Sequence, residues 1–237
     1  MSTPVSAPAP TEVLRRGDVT VHGRIAGSSN ATLLVTCALE EEELLAVYKP
    51  VAGERELWDF DPGLHRRELA ARELSVALGW DLVPETVVRD DAPFGTGSLQ
   101  RVVPEDGTSH YFTLREEARW HPDLRRIAAF DVVANNADRK SGHVLLAEDR
   151  LWAIDHGLTF HTEPKLRTVI WDFVGDVLDD AVAADLRAFL DRGLPPPLAE
   201  LLDEPEQEAL VDRVVELLAD GCLPPPRHGR PYPWPLV

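Results

Sequence analysis

Near the middle of the chain, Asn135-Asn136-Ala137-Asp138-Arg139-Lys140-Ser141-Gly142-His143 sets an aspartate, two cations and a histidine in a polar stretch. A helical pattern precedes it and an apolar run, Val144-Leu145-Leu146, follows. A few residues on, Leu151-Trp152-Ala153-Ile154-Asp155-His156-Gly157 delivers a second aspartate at the end of another apolar run, into a glycine turn. Two carboxylates separated by one short hairpin can converge on a point. A carboxylate-held Mg²⁺ beside a base that orients a hydroxyl needs that arrangement. Asn and Asp are also common loop formers, so Asp138 alone is equally consistent with an ordinary turn.

A third element is Val47-Tyr48-Lys49-Pro50. Lys49 ends an apolar strand, where an ammonium group gains nothing from packing, and a lysine so placed can reach phosphate oxygens as a point charge. It needs a carboxylate to hold its stem. The helical pattern over 64–78 offers Glu68 and Glu73, which lie roughly 140° apart around the axis and cannot share a face. Glu68, flanked by Leu69, Ala70 and Ala71, is the better candidate. The turn Gly27-Ser28-Ser29-Asn30 is small enough for backbone N–H groups to approach phosphates, although hairpin turns commonly have this composition. It does not match the GxxxxGK[ST] pattern of NTPases.

These residues need elements to hold them. DVTVHGRIA, ATLLVTCAL and LLAVYKP read as three strands of an antiparallel meander, with an acidic turn at Glu40-Glu41-Glu42-Glu43. The 64–78 pattern ends at Gly79, and LVPETVVR and SLQRVVP restore strand character. Pro104-Glu105-Asp106-Gly107 marks a break. Beyond it the chain is mainly helical, with a helix over 124–135, two short strands HVLLAE and RLWAIDH, and helices near 180–192, 196–203 and 206–219. The proline-rich end, LPPPRHGRPYPWPLV, should be extended, with Tyr232 and Trp234 either packing back on the body, the favoured reading, or meeting a partner. The fold class is α+β: a β-rich N-lobe (13–103) with one helix, then an α-rich C-lobe (104–223). A loose tail precedes them (1–12) and a proline-rich tail follows (224–237).

Composition narrows the function classes. The chain has 237 residues and a formal net charge of −17, and only three of its 24 basic residues are lysines. Such a surface repels phosphate backbones and anionic lipid over a Debye length of about 8–10 Å, which argues against nucleic-acid binding. No apolar run approaches the roughly 18–20 residues of a membrane span, which argues against integral membrane association. The first residues lack a secretory signal, so a cytoplasmic location is expected. Two cysteines cannot make a disulfide framework, and Cys37, in an apolar strand, should be a buried thiol. Trp58 and Trp171 read as packing residues, and His156 and His161 as loop histidines. Lys165-Leu166-Arg167 is either a solvated charged segment or a contact for an anionic acceptor.

In this order the motifs resemble the kinase-like fold of the phosphatidylinositol 3-/4-kinase superfamily. The similarity is closest to compact actinobacterial members and more distant to HipA-type kinases, and it runs from about Gly23 to Trp171. GSSN resembles the phosphate-binding turn and AVYKP the nucleotide-binding lysine strand. RRELAARELSVALGWDLVPETV is similar to the segment bearing the lysine's glutamate partner, with Glu68 at the matching place. NNADRKSGHVLL is similar to the catalytic loop and AIDHGLTF to the metal-binding turn. The resemblance implies a two-lobed protein-kinase-like fold that uses ATP and Mg²⁺, or Mn²⁺, to phosphorylate an unidentified hydroxyl acceptor.

The roles it implies are these. Lys49 with Glu68 and the amides of Gly27, Ser28, Ser29 and Asn30 would bind phosphates, and backbone near Gln100, Arg101, Val102 and Val103 would meet adenine. Asp138 would orient the acceptor hydroxyl, Arg139 or Lys140 would offset charge on the transferring group, and Asp155 would hold metal. His143 stands where the family usually has a metal-binding asparagine, and imidazole is a poorer Mg²⁺ ligand than a carbonyl oxygen. That leaves three readings: an altered metal preference, one metal in place of two, or impaired chemistry. His143 is otherwise a hydrogen-bonded loop residue. Two alternatives to a kinase stay open, a nucleotide-binding pseudokinase that signals by conformation and a nucleotidyl transferase acting on protein.

Overall fold

The computed structural model describes residues 7–25, 30–105, 107–227 and 229–236. The contacts divide the chain into two units, one comprising the chain up to Leu69 with Pro84–Val103, the other Ala70–Val83 with Pro104–Val237. The division is not the linear one at 103/104, because residues 70–83 join the second unit. Their apolar side chains Ala70, Ala71, Leu74, Leu78, Leu82 and Val83 are buried in the larger, helical core.

The first unit begins with a helix, α1 (Pro10–Arg16), where a loose tail was expected up to residue 12. Pro10 suits the first helical turn, whose N–H groups have no partner in the helix. Val13 and Leu14 are buried against the sheet, and that burial holds the helix in place. Arg89 Nη1 donates to the carbonyl of Gly17 at 2.6 Å, capping the helix C-terminus. The meander forms as expected: β1 (Asp18–Arg24), β2 (Leu33–Leu39) and β3 (Glu42–Pro50) pair antiparallel in succession. Alternation puts Val35, Cys37, Ala46 and Tyr48 on one buried face. Burial pushes the Cys37 thiol up despite nearby Arg89, which keeps it protonated. Of the four turn glutamates, Glu42 and Glu43 are taken into β3 opposite Leu39 and Ala38.

After β3 the chain runs through an irregular segment to α2 (Leu64–Ala77) and returns as β4 (Thr86–Arg89) and β5 (Gly97–Arg101), giving the sheet order β1-β2-β3-β5-β4. Gly97 lies opposite Pro50, and a Cβ there would stand 2.5 Å from the Lys49 carbonyl oxygen, so the strand bearing Lys49 seats only against glycine. Trp58, expected to pack, is 92% exposed.

Nothing in the sequence pattern pointed to Glu54, yet it starts α2. Its carboxylate accepts from the N–H of Gly63 (φ +110°, a conformation that favours glycine) and of His65, both at 3.1 Å, and lies 3.2 Å from His65 Nδ1. These amides are among those a helix start leaves unpaired. Burial alone would raise the Glu54 carboxyl's pKa, but the His65 ring and the two amides outweigh it and hold it below the ordinary value.

The second unit contains α3 (Tyr111–Leu114), α4 (His121–Ala134), the hairpin β6 (Val144–Ala147) and β7 (Arg150–Ala153), α5 (Asp180–Arg192), α6 (Pro196–Ala199) and α7 (Glu204–Asp220). α7 opens with Asp203 accepting from Glu206 N–H at 2.8 Å and closes on left-handed Gly221, as Pro205 and Gly221 suggested. α4 and α5 both pack on α7. The proline-rich end is not helical, but it docks by its backbone while Trp234 stays 88% exposed, against the expectation that the rings would pack. The Pro231 carbonyl accepts from Thr168 N–H at 3.0 Å and Trp171 Nε1–H at 3.1 Å, and the Leu236 carbonyl from Ser141 N–H at 2.9 Å. Among the described residues no helix is long and apolar enough to cross a membrane.

Because the Glu54 carboxyl is depressed in the folded state, its contribution is present above the unfolded value near 4.3 and is lost as pH falls through the folded value. Glu54→Gln should therefore cost about 1–2 kcal/mol at pH 7 and progressively less as the pH is lowered through the folded value, measured by urea unfolding across pH.

Candidate functional site

The first unit places Lys49 against Glu68. The Lys49 ammonium donates to Glu68 Oε1, with the Glu68 side chain 3% exposed and that of Lys49 25% exposed. Glu68, not Glu73, takes this position because it shares the covered side of the helix with Leu64, Ala71 and Ser75, at i−4, i+3 and i+7. A charge so desolvated is tolerated only when paired. Gly27, Ser28 and Ser29 lie outside the described residues. Asn30 is described, and its Oδ1 accepts from Arg55 N–H at 3.1 Å, so that side chain ties the turn to the segment after β3. At the expected adenine edge, the N–H of Arg101 donates to the Glu85 carbonyl and that of Val102 to the Leu45 carbonyl. Gln100 and Arg101 are strand residues, and Gln100 Nε2 donates to Thr86 Oγ1. The N–H groups of residues 101 and 102 are thus used within the sheet, and those positions can offer a base only carbonyls.

The second unit holds the two aspartates. α4 ends at Asn135, which is left-handed (φ +52°) and whose Nδ2 donates to the carbonyls of His161 and Glu163. The chain then turns through Asn136, whose Oδ1 accepts from Asp138 N–H at 3.0 Å. Asp138 Oδ2 lies 3.0 Å from Lys140 Nζ. Burial raises the Asp138 carboxyl above its ordinary value, Lys140 opposes this, and the negative charge of Asp155 adds to it. The two carboxylates are therefore close enough to sense each other. Asp155 is left-handed (φ +58°) and its side chain is 45% exposed, with Oδ2 3.3 Å from His143 Nε2. A non-glycine residue held there is a strain of the kind that accumulates at functional sites.

Arg139 departs from its expected role. It is fully buried, and all five guanidinium N–H groups have acceptors: Nε and Nη2 on the Asp131 carboxylate, Nη1 on the carbonyls of His143 (3.0 Å) and Ile154 (2.8 Å), and Nη2 also on His156 Nε2 (2.7 Å). A guanidinium so saturated has no donor left for a transferring group, which leaves Lys140 for that part. Asp131 and His156, both fully buried, are members of the site that sequence reasoning missed or took for loop residues. An aspartate inside the apolar stripe of α4 was the available signal, since a buried acid implies a buried partner.

His143, read from the sequence either as a metal ligand or as a hydrogen-bonded loop residue, has Nε2 3.3 Å from Asp155 Oδ2, and Lys140 N–H donates to its Nδ1 at 3.4 Å. Among the described residues no three of His, Cys, Asp and Glu gather as a closed metal cage. One or two carboxylates, partly exposed, nevertheless suit an ion of the Mg²⁺ type, which keeps several waters and takes phosphate oxygens.

No family model matches the chain. It is 40% identical to Protein Rv2133c of Mycobacterium tuberculosis, over 94% of each chain. The chain belongs to the Rv2133c family. Among solved structures, this family member is similar to the Golgi casein kinase with Mn/ADP bound (TM-score 0.61, 15% identity, 96% of this chain and 79% of that one). It is also similar to hydra Fam20 with sugar (0.52, 14%, 87% and 84%) and to the Helicobacter pylori proinflammatory kinase CtkA (0.50, 10%, 89% and 94%). These likenesses establish a protein-kinase-like fold, with a β-rich and an α-rich unit.

Arg139→Leu leaves the buried Asp131 carboxylate with only the Asn136 amide and no cation, and should cost about 3–5 kcal/mol in urea unfolding. Adding Asp131→Leu should recover part of that loss, so the double variant falls well short of the sum of the two single costs.

Proposed function

We propose that this Rv2133c-family protein is an ATP-dependent phosphotransferase that moves the γ-phosphoryl group to an acceptor hydroxyl. The observation that carries the reading is the pair Asp138 and Asp155, on two loops fastened by one saturated arginine, each with a defined electrostatic neighbour. The order of motifs shared with the phosphatidylinositol 3-/4-kinase superfamily supports it, as does the likeness to a casein kinase whose structure holds Mn/ADP.

In this reading Lys49, steadied by Glu68, binds nucleotide phosphate. Asp155 and, at longer range, Asp138 would hold a divalent ion, which when bound neutralises charge on the phosphate oxygens. His143 fixes the rotamer of Asp155 through Nε2–H. Asp138 orients the acceptor hydroxyl and takes its proton. The acceptor oxygen forms the new P–O bond as the bond from the γ-phosphorus to the β–γ bridging oxygen breaks, and ADP leaves. Lys140, 3.0 Å from Asp138, offsets charge on the group in transfer.

His143, at the place of the family's usual asparagine, favours a second reading: a chain that binds nucleotide and signals by conformation without turnover.

The test is transfer from γ-labelled ATP with Mg²⁺ or Mn²⁺, followed by mass spectrometry of the protein and of a lysate. Wild type should label, while Asp138→Asn, Asp155→Asn and Lys49→Met should each fall by roughly 100-fold or more with folding intact. Equal labelling in all four removes the assignment. A nucleotide-dependent thermal shift without labelling selects the second reading, and label from α-labelled ATP would indicate nucleotidyl transfer.

A further inference from the structure

Pro164, Lys165 and Arg167, from the segment after the Asp155 turn, line a cavity of about 400 Å³ together with Gly229 and Arg230 of the proline-rich end. We propose that this cavity binds a phosphate monoester already carried by the acceptor, so that the compound phosphorylated is itself a soluble phosphorylated molecule. Its role as the acceptor's anchor rests on the phosphotransferase reading; the binding itself does not.

Three observations point to this chemistry. The chain carries a net charge of −17 and only three lysines, yet one lysine and two arginines from segments some sixty residues apart line a single cavity with no acidic residue among its described lining residues. Cations gathered in this way repel one another and are stabilised by an oxyanion, which ammonium and guanidinium groups bind through charge-assisted hydrogen bonds. Glu163 Oε2 lies 3.6 Å from Lys165 Nζ, and the Glu163 side chain is 75% exposed. A pair this long, with its carboxylate largely in water, is weak and yields to a dianion.

The second observation is how firmly the walls are built. Lys165 N–H donates to Asn135 Oδ1 at 2.8 Å, Arg167 N–H to the Asn136 carbonyl at 2.9 Å, and Arg139 N–H to the Arg167 carbonyl at 3.0 Å. The opposite wall is held by the Pro231 carbonyl, which accepts from Thr168 N–H and Trp171 Nε1–H. The cavity is thus fastened to the loop that carries Asp138, and it is incomplete without the proline-rich end.

The third is size and field. A cavity of about 400 Å³ is far larger than one phosphate and has room for the organic group that bears it. The acidic surface repels an anionic bilayer, which favours a water-soluble phosphate over a lipid headgroup.

The probe is O-phosphoserine, titrated calorimetrically into the full chain with and without saturating ADP and Mn²⁺. Saturable binding is expected under both conditions. The Kd should rise at least about tenfold in Lys165→Gln and in Arg230→Gln, which lie on separate segments, and stay unchanged in the exposed control Arg187→Gln. Circular dichroism and melting temperature verify that each variant folds. Absence of saturable binding in wild type, or a Kd in both variants unchanged from wild type, overturns the site. Inorganic phosphate binding as tightly as O-phosphoserine overturns the assignment to an organic monoester. Capture by phosphoinositide vesicles that is lost in the variants overturns the assignment to a soluble one. If ADP fails to bind while O-phosphoserine binds, the phosphotransferase reading falls and the site stands; if ADP binds and O-phosphoserine does not, only the site falls.

Discussion

The α-rich unit depends on one guanidinium. Arg139 is fully buried, and its five N–H groups meet acceptors on four parts of the site: the Asp131 carboxylate on α4, which takes two, the carbonyls of His143 and Ile154, and the ring of His156. A lysine could not replace it, because a point charge with three donors cannot bridge acceptors spread around a plane. The arrangement fixes how the loop bearing Asp138 and the turn bearing Asp155 lie together, although Arg139 touches neither carboxylate in any contact described above. The backbone adds to the same fastening, with Ala137 N–H on the Leu158 carbonyl and Ile154 N–H on the His143 carbonyl. Burying so much charge is costly, and its return is geometric definition more than stability.

The β-rich unit solves a smaller version of the same problem. Lys49 must carry an ammonium group at the end of a strand whose neighbours are buried, and Glu68 supplies the paired carboxylate. Two features outside the pair make it possible. Gly97 lets the neighbouring strand approach where any Cβ would strike the Lys49 carbonyl, and Glu54 satisfies the amides at the start of the helix that carries Glu68. Positioning residues of this kind lie well away in sequence from what they position.

Between the two aspartates the electrostatics are unequal. Asp138 is the more buried, its carboxyl held above the ordinary value by desolvation and by Asp155, with Lys140 restraining the rise. Asp155 is more open, with the His143 ring 3.3 Å from its carboxylate. A carboxylate inclined to accept a proton beside one left open to a cation is a division of labour that suits base and ion-holder respectively.

The strands, the long helices and the order of the chemical motifs were legible from local pattern, because alternation, helical spacing and proline or glycine punctuation act over a few residues. Val35, Cys37, Ala46 and Tyr48 alternate inward as their types dictate, and Pro205 and Gly221 bound α7 as residues of those kinds do. Local pattern also identified Lys49, Asp138 and Asp155 as residues with little structural reason to be where they are. It could not show that Arg139 turns inward to Asp131 and not outward to a ligand, that His143 lies against Asp155, that α1 is held by Val13 and Leu14, or that Trp58 stays in water. Each of those outcomes depends on which groups from distant segments are desolvated together, and a buried charge takes its partner from three-dimensional neighbours that the linear order does not reveal.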